Sequence, residues 1–296
     1  QCGFNCPLNL PDVISIGAYA FYGCSGFSGP LVLHTESSEN TGETNEPYSD
    51  LTIGLNAFQG CSGLTGQIPT NYLTQLTERS FADCKGFSGI LNLSKFTVIP
   101  PYAFYNCENL NTLILPDTVT VIGKYAFYGC TNLEGPLELP SIKTIGKYAF
   151  AKCSKLSGPL KFPISLSHID DYAFSECSGF SDSLSFDVNT LTIGEGAFKG
   201  CSGFKKGTLS FTMKSSSYEE AGNTGNRHFS YPYFLRIQNY AFEDAKFDDV
   251  YYLGRFEPDC DYESGIKEMK KVHTASNYVN SSFCRKTVRK NGLSGG

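Results

Sequence analysis

The sequence lacks several features that mark common classes of protein. Nothing in its 296 residues approaches the run of about 20 apolar residues that a membrane-spanning helix needs. Lys and Arg total 24 against 29 Asp and Glu, and no basic stripe crosses the chain as contact with a phosphate backbone would require. The sequence therefore predicts no membrane span and no nucleic-acid partner.

Residues that carry enzyme chemistry are also scarce. The four histidines do not cluster, and no nucleophile motif accompanies them. Asp259, Asp261 and Glu263 alternate like the start of a calcium loop, but Lys270 stands where such a loop needs its bidentate glutamate. The sequence thus predicts a protein that is not an enzyme and that has no metal site and no cofactor.

What the sequence has instead is an internal repeat. A phrase close to I-G-x-Y-A-F-x-x-C-x-x-L returns nine times, and its phenylalanines are 23 or 24 residues apart through the middle of the chain. A fixed period of this length predicts a solenoid, in which stacked coils share one core because no coil can bury its own apolar residues. The phenylalanines are Phe21, Phe58, Phe81, Phe104, Phe127, Phe150, Phe174, Phe198 and Phe242.

One coil can be predicted from the segment 133–156. Leu137 and Leu139 flank a glutamate in an alternating stretch that is typical of a short strand with one buried face. The same L-x-L pattern recurs in other copies, which predicts one parallel sheet along the stack. The segment 147–153 is predicted to form a short turn of helix with Phe150 on its buried side.

The phrase "IGKYAFYGCTNLEGPLELP" at 122–140 resembles the BspA-like, or Treponema-type, leucine-rich repeat, and the match covers most of the chain. The resemblance implies a right-handed α/β superhelix with a parallel sheet on its concave face and short helical turns on its convex face. Members of this family are surface or secreted proteins of oral and gut bacteria and of mucosal protists such as trichomonads, and they are associated with adhesion. The resemblance therefore implies an extracellular, non-enzymatic protein that binds a host protein or glycan.

The rhythm of the repeat divides the chain into three parts. We expect an N-terminal cysteine cap at 1–12, the solenoid at 13–256, and a C-terminal cysteine cap with a basic tail at 257–296. Insertions at 34–50 and 213–233 both follow an L-x-L strand, so they are expected to emerge on the same rim. Because the chain opens at Gln1 without a charged-then-apolar leader, we expect a processed ectodomain.

The twelve cysteines fall into two classes. We expect disulfides in the two caps, Cys2 with Cys6 and Cys260 with Cys284, which indicate an oxidising setting; four unpaired thiols are the alternative. The other eight are expected to be free and buried, because equivalent side chains of stacked coils point the same way and stay too far apart for a relaxed disulfide. These eight are Cys24, Cys61, Cys84, Cys107, Cys130, Cys153, Cys177 and Cys201.

The candidate binding surface is the set of outward residues at the centre of the L-x-L strands, which we call the outward row. No packing constraint dictates these residues, although an arbitrary solvated surface would look similar. By alignment the row runs through Val32, Pro69, Asn92, Ile114, Glu138, Lys161, Ser185 and Ser210.

The second insertion offers further candidate contacts. Its aromatic side chains have no core position to fill and are expected either to anchor an interface or to fold back on the last coil. Phe234, just after them, aligns with core residues such as Ile142 and is expected to be buried. The candidate contacts are His228, Phe229, Tyr231 and Tyr233.

Two N-x-S sequons, headed by Asn92 and Asn280, predict glycosylation sites if the source is eukaryotic. A glycan on Asn92 would weaken binding at that coil. A structural spacer that displays another domain is the alternative function, and an enzyme comes third without support from the sequence.

Overall fold

The computed structural model describes residues 6–11, 13–33, 51–204, 207–213, 234–245, 247–253, 258–261, 263–266, 271–275, 282–284, 286–287 and 289–293. These residues form a parallel β-solenoid of about nine turns with almost no helix. The repeat solenoid predicted from the sequence is therefore confirmed. Short 3-10 helices among the described residues include Thr70–Tyr72 and Ser202–Phe204.

The first strand of each coil belongs to a parallel ladder that we call the L-x-L sheet. Hydrogen bonds join its strands in groups of three, two and six along the stack. The ladder continues into the segment that the sequence assigned to the C-terminal cap, where Ser282–Phe283 and Lys286–Thr287 also form an antiparallel pair. The strands are Leu8–Asn9, Gly29–Val32, Leu64–Thr65, Gly89–Asn92, Leu110–Ile114, Gly158–Phe162, Phe180–Val188, Thr208–Met213, Asp249–Tyr252, Lys271–Ala275 and Arg289–Leu293.

The coil chosen to represent the repeat departs from this ladder. Leu137 and Leu139 are buried as predicted, but they are not in a strand, and at the L-x-L position an isolated bridge from Gly135 takes the place of a ladder to the next coil. Pro136 and Pro159 lack the N–H groups that a continuous ladder would need. The prediction of a strand in this coil is therefore wrong, although its inward residues were assigned correctly.

A second parallel ladder was missed by the sequence reasoning. Most of its strands have only two residues, which is too short to show an alternating pattern, and they come just before the repeat glycine. Their inward residues include Ile145, which is fully buried as expected. The strands are Ser15–Ile16, Thr52–Ile53, Val98–Ile99, Val121–Ile122, Thr144–Ile145, His168–Ile169, Thr190–Ile193, Phe234–Ile237 and Asp259–Cys260.

Phe234 is not in the core. It pairs with Thr190 in the second ladder, and its side chain is 44% exposed, whereas the next residue, Leu235, is buried. In the coils that contain Ile193 and Ile237, this strand has four residues. Because side chains alternate along a strand, the buried residue is then two positions before the isoleucine instead of three. The expectation that Phe234 fills the Ile142 position is wrong for this reason.

The helical turns predicted for each coil are reverse turns instead. The N–H of Ala149 donates to the carbonyl of Gly146 at 3.0 Å, and Tyr148, the third residue of that turn, has φ 56°. This is the hydrogen bond and the sign of φ found in a type II turn. The N–H groups of Tyr148 and Phe150 donate instead to the following coil, at 3.0 and 2.7 Å. A helix would use those groups within one coil, so stacking favours the turns.

Several of the turns open with a glycine, and close approach between coils explains the glycine at position 146. A Cβ atom at Gly146 would lie 2.6 Å from the backbone nitrogen of Lys124 in the preceding coil. The left-handed residue of the turn is Tyr148, two positions later, so Gly146 is not required there for a positive φ.

The core is a column of phenylalanine rings. Each repeat phenylalanine stacks on the next, with ring centroids 5.1 to 6.0 Å apart from Phe21 to Phe242. All but Phe21, which lies in the first coil, are at most 2% exposed. Since the stacked rings exclude water over the whole stack, this column holds the coils in one cooperative unit.

A second column consists of thiols. Cys61, Cys84, Cys107, Cys130, Cys153, Cys177 and Cys201 are free and buried, as expected. Each donates its S–H to the carbonyl oxygen of the repeat phenylalanine one copy back, in the preceding coil. For Cys130 the acceptor is Phe104, at 3.1 Å. The remaining six sulfur–oxygen distances lie between 3.0 and 3.1 Å.

The two ends of the solenoid differ from one another in their disulfides. Cys260 and Cys284 are bonded as predicted, with Cα atoms 5.3 Å apart. At the other end Cys6 is a free, exposed thiol and Cys24 is disulfide-bonded, so the pairing of Cys2 with Cys6 and the free thiol at Cys24 are both wrong. Cys24 belongs to the first copy of the repeat, where no earlier phenylalanine can accept its S–H. Cys2 lies outside the described residues.

Candidate binding surface

The outward row is a real cross-strand alignment. Asn92 pairs with Ile114, and Lys161 pairs with Ser185, which in turn pairs with Ser210. Asn92, Ile114, Glu138 and Lys161 are exposed, whereas the residues beside them in each strand or coil are mostly buried. Val32 is half-buried, and Pro69 lies outside the row because it immediately precedes the 3-10 helix Thr70–Tyr72.

The first half of this surface has an apolar centre. Ile90 and Ile114 are each 43% exposed and lie diagonally on neighbouring strands, since Ile90 pairs with Thr112 and Asn92 with Ile114. Ile90 also lines a cleft of about 290 Å³ together with Gln67, Asn71 and Lys95. The cleft and the two isoleucines form a contiguous region in which apolar side chains meet amides and a lysine.

Asn92 lies at the rim of this cleft. Its side-chain oxygen accepts a hydrogen bond from the N–H of Ser94 at 3.0 Å, and Thr70 donates to its carbonyl oxygen at 2.5 Å. The side chain is exposed, so the sequon is accessible. Glycosylation at Asn92 stays a prediction.

The second half of the surface was missed in part by the sequence reasoning. The register continues from Ser210 to Tyr251 and from Tyr251 to His273, so the outward row extends two strands beyond the predicted one. The rings of Tyr251 and His273 stack with centroids 4.7 Å apart, and His273 Nε2 lies 2.8 Å from Asp249 Oδ1. The alternation in Val250–Tyr252 was the available signal, but a long insertion separates it from the previous copy.

Several predicted contacts cannot be placed. His228, Phe229, Tyr231, Tyr233 and Asn280 lie outside the described residues. Two described residues flank the second insertion. Met213 ends an L-x-L strand, and Phe234 begins a second-ladder strand. In the first coil, Leu33 directly follows the strand Gly29–Val32 and Leu51 directly precedes the strand Thr52–Ile53, so each insertion lies between an L-x-L strand and a second-ladder strand.

The alternating carboxylates near the C-terminus have a partner within the protein. Arg236 forms ion pairs with Asp259 and with Asp261, the latter at 3.2 Å. Within the described ranges, no group of three or more His, Cys, Asp or Glu side chains is arranged to hold a metal ion. These carboxylates thus neutralise an arginine of the neighbouring coil.

A rival surface lies on the turns. Tyr102, Tyr125, Tyr148 and Tyr172 stack with centroids 4.8 to 5.0 Å apart, and all four are half-buried. The guanidinium of Arg79 lies 4.0 Å from the centre of the Tyr102 ring at one end of the column. Because each ring covers its neighbour's face, this column stabilises the stack and presents only ring edges to a partner.

Comparison with known protein families agrees with this architecture. The sequence model described as "BspA type Leucine rich repeat region" matches residues 37–157 and 136–248, with six copies. This chain belongs to the BspA-type leucine-rich repeat family. The identification agrees with the repeat, the parallel ladders and the stacked coils. No curated protein is significantly similar to the chain.

Solved structures similar to this BspA-type protein include proteins of three bacteria. A leucine-rich repeat protein from Bacteroides ovatus has 19% identity and a TM-score of 0.45, over 97% of this chain and 81% of that one. A leucine rich cell surface protein from Faecalibacterium prausnitzii has 18% identity and a TM-score of 0.44, over 90% and 82%. The T. pallidum leucine rich repeat protein has 19% identity and a TM-score of 0.31, over 72% and 82%.

The matching family is defined by its leucine-rich repeat region. Among the described residues of this BspA-type protein, no helix has the length and apolar character that crossing a bilayer requires.

Proposed function

We propose that this protein is an extracellular, non-enzymatic binding protein that attaches to a host protein or glycan through the outward row of its L-x-L sheet. The observation that carries the proposal is the exposure of Ile90 and Ile114 on neighbouring strands whose other faces are packed in the core. Apolar side chains grouped on an open sheet face, next to polar and charged ones, are the usual composition of an interaction site.

An extracellular setting is supported by the cysteines. The bond between Cys260 and Cys284 and the disulfide at Cys24 are stable only where thiols are not kept reduced. The aromatic residues of the second insertion would lie beside the outward row if they follow Met213 along the same rim. They would then add anchors to the same surface.

Replacing Ile114 by Asp is expected to weaken binding at least tenfold, because the carboxylate would be desolvated against an apolar contact. Val98→Asp is the matched control, since Val98 is also a β-branched strand residue and is 48% exposed, but on the second ladder. Binding of the purified protein to an immobilised mucin glycoprotein and to extracellular-matrix proteins, measured by biolayer interferometry, provides the readout.

The control variant Val98→Asp should bind with an affinity within about twofold of that of the wild type. Equal loss in both variants, or no loss in either, would count against the outward row as the contact surface. Absence of binding to any of these materials would favour the alternative function, a structural spacer that displays another domain.

A further inference from the structure

The outward row contains a notch between Lys161 and Tyr251. The register places Lys161, Ser185, Ser210 and Tyr251 on four consecutive strands, all on the same face. Neighbouring strands lie about 4.8 Å apart, so the two long side chains are separated by roughly 14 Å at the backbone. The two serines between them are too short to fill this space, which leaves a gap two strands wide with hydroxyl groups at its base.

One end of the notch is an aromatic face. The ring of Tyr251 is parallel to the imidazole of His273 within 11°, and His273 is held by its contact with Asp249. Since His273 covers the face of Tyr251 on the side of the following strand, the opposite face points towards Ser210. A serine side chain cannot cover a six-membered ring, so this face remains available for stacking.

The chemistry along the notch suits a sugar. The negative face of an aromatic ring attracts the slightly positive C–H groups on the apolar side of a pyranose. The hydroxyl groups of Ser185, Ser210, Thr208 and Thr212 lie on outward positions of the intervening strands and are half-exposed. Hydroxyl groups both donate and accept, which matches the hydroxyl groups of a saccharide.

The far end of the notch carries a positive charge. Lys161 is exposed, and its ammonium group is at the end of a flexible chain that is long enough to reach over the serines. Asp187 lies outward on the strand next to that of Lys161, but it already interacts with another group of the protein. Asp249 is engaged by His273. A carboxylate on the ligand would therefore be attracted to Lys161.

We infer that the notch is a subsite for a short acidic glycan, in which a neutral pyranose stacks on Tyr251 and the carboxylate of the adjoining acidic sugar pairs with Lys161. A disaccharide of this kind is short enough to lie within the roughly 14 Å that separates the two side chains at the backbone. This inference rests on the proposed function and specifies one class of ligand for the same sheet.

The experiment uses 3′-sialyllactose and lactose as probes and measures their affinities for the purified protein by saturation-transfer-difference NMR titration. Sialyllactose is expected to bind about tenfold more tightly than lactose, the usual effect of one charge-assisted hydrogen bond. Lys161→Gln should bring sialyllactose to the affinity of lactose and leave lactose unchanged. Lys124→Gln, at an exposed lysine of the turn surface, is the matched control and should change neither.

Two variants test the aromatic face separately. Tyr251→Ala should lower the affinity for both probes at least tenfold. Ser210→Phe should have the same effect, because its ring would stack on Tyr251 and fill the notch. Circular dichroism and thermal melting establish that each variant is folded. If neither probe binds, or if a folded Ser210→Phe variant binds both as the wild type does, the subsite does not exist.

The two proposals can fail independently. Binding to mucin or matrix protein that is lost in Ile114→Asp but kept in Tyr251→Ala and Lys161→Gln would overturn the subsite and leave the proposed function intact.

Discussion

The free energy of unfolding is expected to fall steeply between pH 9 and about pH 11. Burial raises the pKa of the Cys61 thiol from 9.0 to about 11, and it raises the pKa of the Cys84 and Cys107 thiols well above 9.0. Burial also raises the thiol pKa values of Cys130, Cys153, Cys177 and Cys201. All seven therefore stay protonated in the folded protein at a pH at which the unfolded chain loses its protons.

The direction of the pH dependence follows from this difference between the thiol pKa values of the folded and unfolded states. A raised pKa in the folded state contributes stability that is fully present below the unfolded value, near 9, and is lost as the pH rises above it. Each such thiol lowers the free energy of unfolding by about 1.4 kcal/mol per pH unit in that range. Together the seven thiols lower the free energy of unfolding by on the order of 10 kcal/mol per pH unit, which is comparable to the entire stability of a typical domain.

Urea unfolding under anaerobic conditions at a series of pH values measures this slope. A variant with Cys107, Cys130 and Cys153 replaced by Ala should lose about three sevenths of it, whatever its stability at neutral pH. Cys6→Ser is the control, because Cys6 is exposed, and it should leave the slope unchanged. A slope that is the same in the triple variant and the wild type would show that the buried thiols do not cause it.

Phe127→Ala is expected to lower the free energy of unfolding by about 3 to 5 kcal/mol, the usual cost of removing a fully buried aromatic ring. Phe127 is 0% exposed and stacks on Phe104 at 5.5 Å and on Phe150 at 5.1 Å. Truncation leaves a cavity in the middle of the column, where neighbouring coils cannot close it without losing their own hydrogen bonds. The urea midpoint measures the effect.

Tyr128→Ala is the matched control for this variant. Tyr128 is the next residue of the same turn and stacks on Tyr105 at 5.1 Å, but it is half-buried on the turn surface. Its loss should cost about 1 kcal/mol. Equal effects of the two substitutions would mean that the phenylalanine column is not the main source of cohesion between coils.

The repeat made the core predictable because it fixes which residues are equivalent. Once Phe127 and Cys130 recur with one period, stacking requires each column to be buried, and the structure agrees. The second ladder was not predictable, because two-residue strands such as Thr144–Ile145 are defined by hydrogen bonds to other coils and leave no local pattern. The turns were assigned to helix because Phe150 and its neighbours suit either conformation.

The surface was predictable only where the period was regular. Asn92, Ile114 and Lys161 were aligned correctly because their coils have the standard length. Tyr251 and His273 were missed because the insertion before them breaks the period, and sequence carries no rule for outward residues that packing does not constrain. The pairing of cysteines at the N-terminal end failed because Cys24, which the repeat phase places among the free thiols, is disulfide-bonded while Cys6 is free.

The central claim is that the outward row contacts the partner, and hydroxyl-radical footprinting of the protein with and without an immobilised mucin glycoprotein tests it most directly. The account predicts that oxidation of Ile90, Ile114 and Tyr251 falls on binding while that of Val98 and Tyr102 is unchanged. Protection of Val98 or Tyr102, with Ile90, Ile114 and Tyr251 oxidised as in the free protein, would contradict it.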